Sequence, residues 1–275
     1  MTLSTHSRHY LLVAVLMAVG CGGAEYEARL ERSRGLYDYL QQLDGGLSSP
    51  AWNRADVGLA MRLPKPFLQP LPAPAPVKDE EGNILPITDD PRQPLVLGVE
   101  LPGLVEAFQA SLGGADEPEA RLYICTNHQR FIDLGPSTVK PDEFLLDLEA
   151  ALQTGFGVFL SPAESQVPGD NVKYRVLAPG RASNHAQYTT PKDFTAIRFV
   201  PNEPPGGSDI EAMLYEHRSG PIQIGILCLF PRNAGASFRE RLEMSLETLV
   251  ASSEAPKPRS GSAGSPGGGG RNAGF

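Results

Sequence analysis

The sequence lacks the short motifs that usually identify a cofactor or a catalytic centre. It has no G-x-x-x-x-G-K-[ST] phosphate loop, no G-x-G-x-x-G after a strand pattern, no H-E-x-x-H zinc helix, no EF-hand loop and no G-x-S-x-G nucleophile elbow. We therefore predict no bound cofactor, and we expect a protein without catalytic activity.

Basic residues are few relative to acidic ones, with 24 Lys and Arg against 32 Asp and Glu and a net charge of −8. Nucleic-acid binding needs a basic field that neutralises phosphates. The charge balance therefore argues against a nucleic-acid partner and is typical of a well-solvated surface.

The sequence begins with a short apolar run. Tyr10 to Val19 is uninterrupted, but its ten residues are too few to cross a bilayer as a helix, which needs about 20. Arg8 precedes the run and the small residue Gly20 follows it. This arrangement is typical of a secretory signal peptide, so we predict that residues 1–20 are removed on export.

The residues at the predicted cleavage point, Ala18-Val19-Gly20-Cys21, resemble the lipobox of bacterial lipoproteins, with Ala18 where leucine is usual. The resemblance implies cleavage after Gly20 and a diacylglycerol on the Cys21 thiol. It also implies a fatty acyl chain such as palmitate on the new amine and a durable membrane anchor. Gly22 rather than Asp favours the outer membrane. The alternative is an ordinary secretory signal with an incidental Cys21.

Beyond Cys21 only two cysteines are present, Cys125 and Cys228. An exported protein can form a disulfide, so either a bond or two buried free thiols fits the sequence. A zinc site formed by Cys125, His128, His217 and Cys228 is suggested by the C-x-x-H spacing. Side-chain alternation and the predicted hairpin register separate these residues, so we predict no metal site.

Composition divides the rest of the chain into four parts. Residues 21–62 hold the lipidated terminus and a helix at Glu25–Leu43 that we expect to pack on the domain. Residues 63–94 are rich in proline and predict an extended surface connector, although the segment could instead wrap the domain. Residues 95–253 read as one globular domain. Residues 254–275 are Gly-, Ser- and Pro-rich and predict a disordered tail.

Hydrophobic spacing predicts the elements of residues 95–253. Strands are expected at 95–101, 122–125, 172–177 and 194–200, and helices at 104–112 and from Pro141 through Leu152. A hairpin joins Ala212–His217 to Ile222–Phe230 through a turn at 218–221. A capping box, Ser237 to Glu240, opens the last helix. The expected fold class is α+β, a mainly antiparallel sheet packed with helices in a sandwich-like arrangement.

The order of a strand, the hairpin L-Y-E-H-R-S-G-P-I-Q-I-G-I-L-C-L-F-P and a terminal helix ending in L-E-T-L resembles the PsbP-like fold group. That resemblance covers residues 95–250 and implies an α/β/α sandwich. Members of the group mostly bind or scaffold, so the resemblance favours a binding role.

We expect the other candidate catalytic residues to be solvent-exposed polar groups without a catalytic role. His128 and His185 lie in polar, loop-like stretches with no sequence feature that pairs them with Cys125 or a serine. The carboxylates of Asp79-Glu80-Glu81 and Asp89-Asp90 fall in the proline-rich segment, where we expect a solvated charge run rather than an acid–base pair.

We therefore expect a membrane-tethered, non-enzymatic binding or scaffold domain whose partner is another envelope protein. An envelope hydrolase is the alternative, and it predicts a pocket in residues 95–250 lined by a His or Cys and by carboxylates with shifted pKa values. A small-ligand carrier is a third class, and it predicts a dry apolar cavity beside the sheet.

Overall fold

The computed structural model describes residues 23–76, 78–81, 90–112, 119–135, 138–140, 143–160, 171–201, 203, 207 and 209–257. The predicted signal peptide, Cys21, the helix start at Pro141 and the tail beyond residue 257 lie outside these residues. None of the helices in the described part is long and apolar enough to span a membrane.

Six antiparallel strands form the main sheet. Their bounds are β3 Leu104–Ala110, β4 Ala120–Thr126, β5 Lys173–Ala178, β6 Lys192–Phe199, β7 Ile210–Ser219 and β8 Ile222–Pro231. Across the sheet they lie in the order β3–β4–β8–β7–β6–β5. The predicted α+β class with a mainly antiparallel sheet is confirmed.

Both faces of the main sheet are covered. Helix α3 (Glu143–Phe156) packs its apolar face, which includes Leu148 and Leu152, on one side. Helix α4 (Ala236–Glu247) packs on the other side together with a small sheet. The strands of the small sheet are β1 Trp52–Arg54, β2 Leu59–Met61 and β9 Val250–Ala251.

Strand β8 has the central position that its apolar pattern predicts. All ten of its residues are buried. Ile222, Ile224, Ile226, Cys228 and Phe230 face α4, whereas Leu227 and Leu229 face α3. A strand that is apolar on both faces stays out of water only between two layers.

Two further helices and two short 3₁₀ turns complete the described elements. Helix α1 (Gly23–Gly46) precedes the domain and helix α2 (His128–Leu134) follows β4. The 3₁₀ turns are Leu95–Leu97 and Asn184–Gln187.

The predicted helix at 104–112 is wrong, because this stretch forms strand β3. Apolar residues at helical spacing suggested a helix, but a β-bulge between Leu104 and Glu106 shifts the register with β4. The extra residue breaks the period of two by which a strand is recognised. Beyond the bulge, Ala107 faces α3 while Phe108 faces α4, as alternation requires.

Three other local predictions are wrong. No strand forms at 95–101, where Leu95–Leu97 is a 3₁₀ turn capped by Gly98. The hairpin turn is shorter than 218–221, because the ladder continues to the pair Ser219–Ile222. The capping box fails because α4 begins at Ala236, which places Ser237 inside the first turn rather than at the cap.

Helix α1 is confirmed, but its expected packing is only partly correct. Its buried residues, Tyr39, Leu43 and Gly46, all lie in the carboxy-terminal third. Exposed apolar side chains occupy much of the remainder, namely Tyr26, Leu30, Leu36, Tyr37 and Leu40. Contact with the domain is therefore confined to the carboxy-terminal half of the helix, from Gly35 beside Tyr188 onward.

The first part of the predicted connector wraps the domain. Phe67 is fully buried, and its ring centroid lies 6.2 Å from that of Phe238 on α4. Pro70 bridges to Phe108, and the Leu71 amide donates to the Ala107 carbonyl at 2.7 Å. This extended segment covers the outer edge of β3, which would otherwise present unpaired backbone groups.

A glycine at the β7–β8 turn supports a test of local packing. Gly220 has a φ of 58°, and a Cβ built there would lie 2.5 Å from the Ser253 carbonyl oxygen. Gly157 has a similar φ of 63° but open space around it. We expect Gly157→Ala to cost about 1–2 kcal/mol from backbone strain alone.

Gly220→Ala should cost clearly more, because the chain at Ser253 must also move. Urea unfolding of both variants would measure the difference. Equal losses would show that residues after β9 adjust freely and contribute little to stability.

Candidate functional site

The structure places Cys125 and Cys228 on opposite sides of the sheet. Leu122 pairs with Cys228 and Cys125 pairs with Gly225, so the cysteines have opposite parity on neighbouring strands. Cys125 packs among the residues under α3 and Cys228 among those under α4. Both thiols are free, and burial raises the pKa of each. The disulfide is therefore not formed, and the two cysteines act as small core residues.

The four residues of the considered zinc site are not brought together. His217 pairs with Ile224 and Cys228 with Met213, a two-residue shift from the predicted hairpin register. Four residues along β8 still separate the two positions, roughly 13 Å. In the described part of the chain no group of three or more His, Cys, Asp or Glu side chains is arranged to hold a metal.

His185 is bonded on both sides of its ring. Nδ1 lies 3.2 Å from both carboxylate oxygens of Glu247, and Nε2 lies 2.9 Å from Gln42 Oε1 on α1. The Tyr39 ring packs against the imidazole at a centroid distance of 4.7 Å. These contacts occupy both nitrogens, so His185 joins the end of α1 to the domain rather than activating a nucleophile.

The carboxylates of the proline-rich segment do not form a catalytic pair among the described residues. Asp90 bonds to Arg92 at 2.7 Å, and the hydrogen bond from Arg92 lowers the pKa of the Asp90 carboxyl. Asp89 lies outside the described residues.

A different set of charged residues lines a groove of about 680 Å³ beside α3. We call this the carboxylate groove. Its floor is formed by neighbouring residues on three strands, since Arg175 pairs with Thr195 and Thr195 pairs with Glu216, which forms a line across the sheet. Next on that line is Gly225, where a Cβ would lie 2.3 Å from Leu148. The missing side chain lets α3 approach the sheet and bring Glu149 to the groove.

Two carboxyl groups and one ammonium form the floor of the carboxylate groove. Lys173 Nζ donates to Glu149 Oε1 at 2.6 Å and lies 3.8 Å from Glu216 Oε2. Only 6% of the Glu216 side chain is exposed. Its Oε1 atom is buried without a hydrogen-bond partner. One ammonium group thus lies near two buried carboxyls, and it is closer to Glu149 than to Glu216.

This imbalance favours the protonated form of Glu216. The pKa of Glu216 is raised to about 8, mainly by burial and then by the charge of Glu149 and a hydrogen bond with Glu149. The charge of Lys173 lowers this pKa by a smaller amount. When both carboxyls are ionised neither has a proton to donate, which leaves Oε1 unsatisfied. A proton on Glu216 supplies the missing donor.

The rim of the groove combines charged and apolar groups. Arg175 holds Asp193 in a two-bond pair, with Nε 2.6 Å from Oδ1, and its hydrogen bond lowers the pKa of the Asp193 carboxyl. His217 bonds through Nδ1 to the Asp193 carbonyl at 2.8 Å. Leu146 on α3 is 60% exposed beside these charges.

Part of this site can be located from the strand predicted at 172–177. Alternation in β5 puts Lys173 and Arg175 on one face. Glu149 interrupts the apolar face of α3, since it follows Leu145 by one helical turn. A carboxylate on such a face is a signal that was missed. Glu216 gives no local signal, because its neighbour Glu149 comes from an element 67 positions away in sequence.

The arrangement can hold and release one proton near neutral pH, and it can balance one additional positive charge. The sequence matches no protein-family model, and comparison with curated proteins finds no match.

Proposed function

We propose that this chain is an exported lipoprotein of a cell envelope, held to the membrane by lipid on Cys21. Its domain would act as a non-enzymatic binding or scaffold domain, with the carboxylate groove as its ligand site. The observation that carries the binding role is the buried carboxyl of Glu216, whose Oε1 atom has no hydrogen-bond donor on the groove floor while the carboxyl is ionised.

The packing of the domain supports the choice of this site. Apolar side chains fill both sides of the main sheet under α3 and α4. Buried ionisable groups are costly to maintain, and their presence at a solvent-open cleft is typical of functional sites.

Replacing Cys21 with serine tests the anchor. Serine cannot accept the thioether-linked lipid, so we expect Cys21→Ser to move from the membrane fraction to the soluble fraction and to lack acyl mass. Intact mass spectrometry of the membrane-extracted protein measures the change, and Cys125→Ser is the matched control. An unacylated wild-type protein in the soluble fraction would contradict the anchor.

An acid–base hydrolase is a second candidate, favoured by the carboxyl pair. A protonated Glu216 is a proton donor near neutral pH, and the neighbouring Glu149 is a base. This candidate requires turnover by the purified protein that is abolished in Glu216→Gln. Turnover that persists in Glu216→Gln would place any activity elsewhere.

A further inference from the structure

The charges of the carboxylate groove point to the class of ligand, on the assumption that the groove is the binding site proposed above. We propose that it binds an organic cation with an aliphatic stem, whose ammonium or guanidinium group seats at the unpartnered Glu216 oxygen. Binding displaces one proton from the carboxyl pair to solvent.

The first argument is that Lys173 lies much closer to one carboxyl than to the other. Its ammonium lies 2.6 Å from Glu149 but 3.8 Å from Glu216. The nearby Arg175 guanidinium is engaged by Asp193. Ionised Glu216 therefore has no close cation of its own among these groups, and a ligand cation would supply one together with N–H donors for Oε1.

The second argument is that an anion fits poorly. A ligand carboxylate or phosphate at the groove floor would approach Glu149 and Glu216, whose side chains are 11% and 6% exposed. Like charges at such a buried position repel strongly because little solvent screens them. The cations at the rim already have carboxylate or other partners.

The third argument is the apolar wall above the charged floor. The exposed Leu146 and the more buried Leu145 form this wall from α3. A hydrocarbon stem of three to five carbons can pack on such a wall while its charged end reaches the floor, as lysine side chains do in proteins. The groove volume of about 680 Å³ accommodates this stem and more.

Proton displacement follows from competition for the same oxygen. In the empty groove the proton on Glu216 balances the buried charge, and a ligand cation takes over that role.

Charged and titratable groups line the groove from each packed element. They are Glu149 on α3, Lys173 and Arg175 on β5, Asp193 on β6, and Glu216, His217 and Arg218 on β7.

Three amino-acid probes that differ in side-chain charge would test the proposal on the full chain in detergent: the Nα-acetyl amides of lysine, norleucine and glutamate. We expect calorimetric binding of the lysine probe, weaker binding of the neutral norleucine probe and none of the glutamate probe. Affinity for the lysine probe should fall by about tenfold for each pH unit below 8. At pH 7 or below, about one proton should be released for each probe bound, measured in buffers of different ionisation enthalpy.

Glu216→Gln should lose both the pH dependence and the proton release. Glu243→Gln is the matched control, because Glu243 is another glutamate whose pKa is raised by burial but it lies on α4, outside the groove. It should bind as the wild type does.

Preferred binding of the norleucine or glutamate probe, lost in Leu146→Arg, would overturn the cation proposal while leaving the groove as a binding site. Binding of the lysine probe without proton release, or binding of no probe at millimolar concentration, would also overturn it. The membrane anchor is tested independently by Cys21→Ser.

Discussion

Glu216→Gln should make the protein more stable than the wild type above pH 8 and leave its stability below pH 4.5 nearly unchanged. Glutamine has the shape of the protonated acid and cannot ionise. The pKa of Glu216 is about 8 in the folded protein against 4.5 for an ordinary glutamate. Unfolding is therefore favoured progressively as the pH rises from 4.5 to 8, because the unfolded chain releases this proton more readily.

The expected gain at pH 9 is several kcal/mol, since each unit of pKa difference corresponds to about 1.4 kcal/mol. Urea unfolding followed by the fluorescence of Trp52, the single tryptophan, would measure it at pH 5 and pH 9. Glu27→Gln on the exposed face of α1 controls for the loss of one negative charge from an acidic protein. A variant equally destabilised at both pH values would show that Glu216 is ionised and well bonded in the folded state.

Phe67→Ala should lower the free energy of unfolding by about 3–5 kcal/mol, the usual loss for a buried phenylalanine. The ring is fully buried against Phe238 and lies in the proline-rich segment. Leu68→Ala is the matched control from the same segment, because Leu68 is 61% exposed. It should change stability by less than about 0.5 kcal/mol.

The same urea experiment distinguishes a wrapping segment from a connector. If the segment were only a connector, both substitutions would be nearly neutral. A large loss for Phe67 with a small one for Leu68 would show that folding of the domain includes residues well before residue 95. A domain truncated at residue 95 would then be expected to unfold.

The elements with unbroken periodicity could be predicted from the sequence. The β7–β8 hairpin, α3 and α4 each carry a regular apolar pattern, and each is present. Strand β3 was missed because its bulge disrupts the period, and the turn at Leu95–Leu97 was missed because an apolar run without alternation fits more than one structure.

Less of the candidate site than of the fold could be predicted from the sequence. Lys173 could be placed on a sheet face, but the meeting of Glu149 with Glu216 depends on how α3 sits on the sheet. That position depends on Gly225, which gives the helix room at one point. Local patterns carry no information on such long-range contacts. The role of Phe67 was missed for a similar reason, since prolines around it suggested solvent exposure.

The attachment of α1 through its carboxy-terminal half has a mechanical consequence under the lipid anchor that we propose at Cys21. The helix has 24 residues, which at 1.5 Å per residue gives a rod about 36 Å long. A flexible peptide of that length would let the domain adopt a wide range of orientations. A rod fixed to the domain through Tyr39, Gln42 and His185 instead transmits rotation, so that a pivot at the proposed anchor would move the groove along a defined arc.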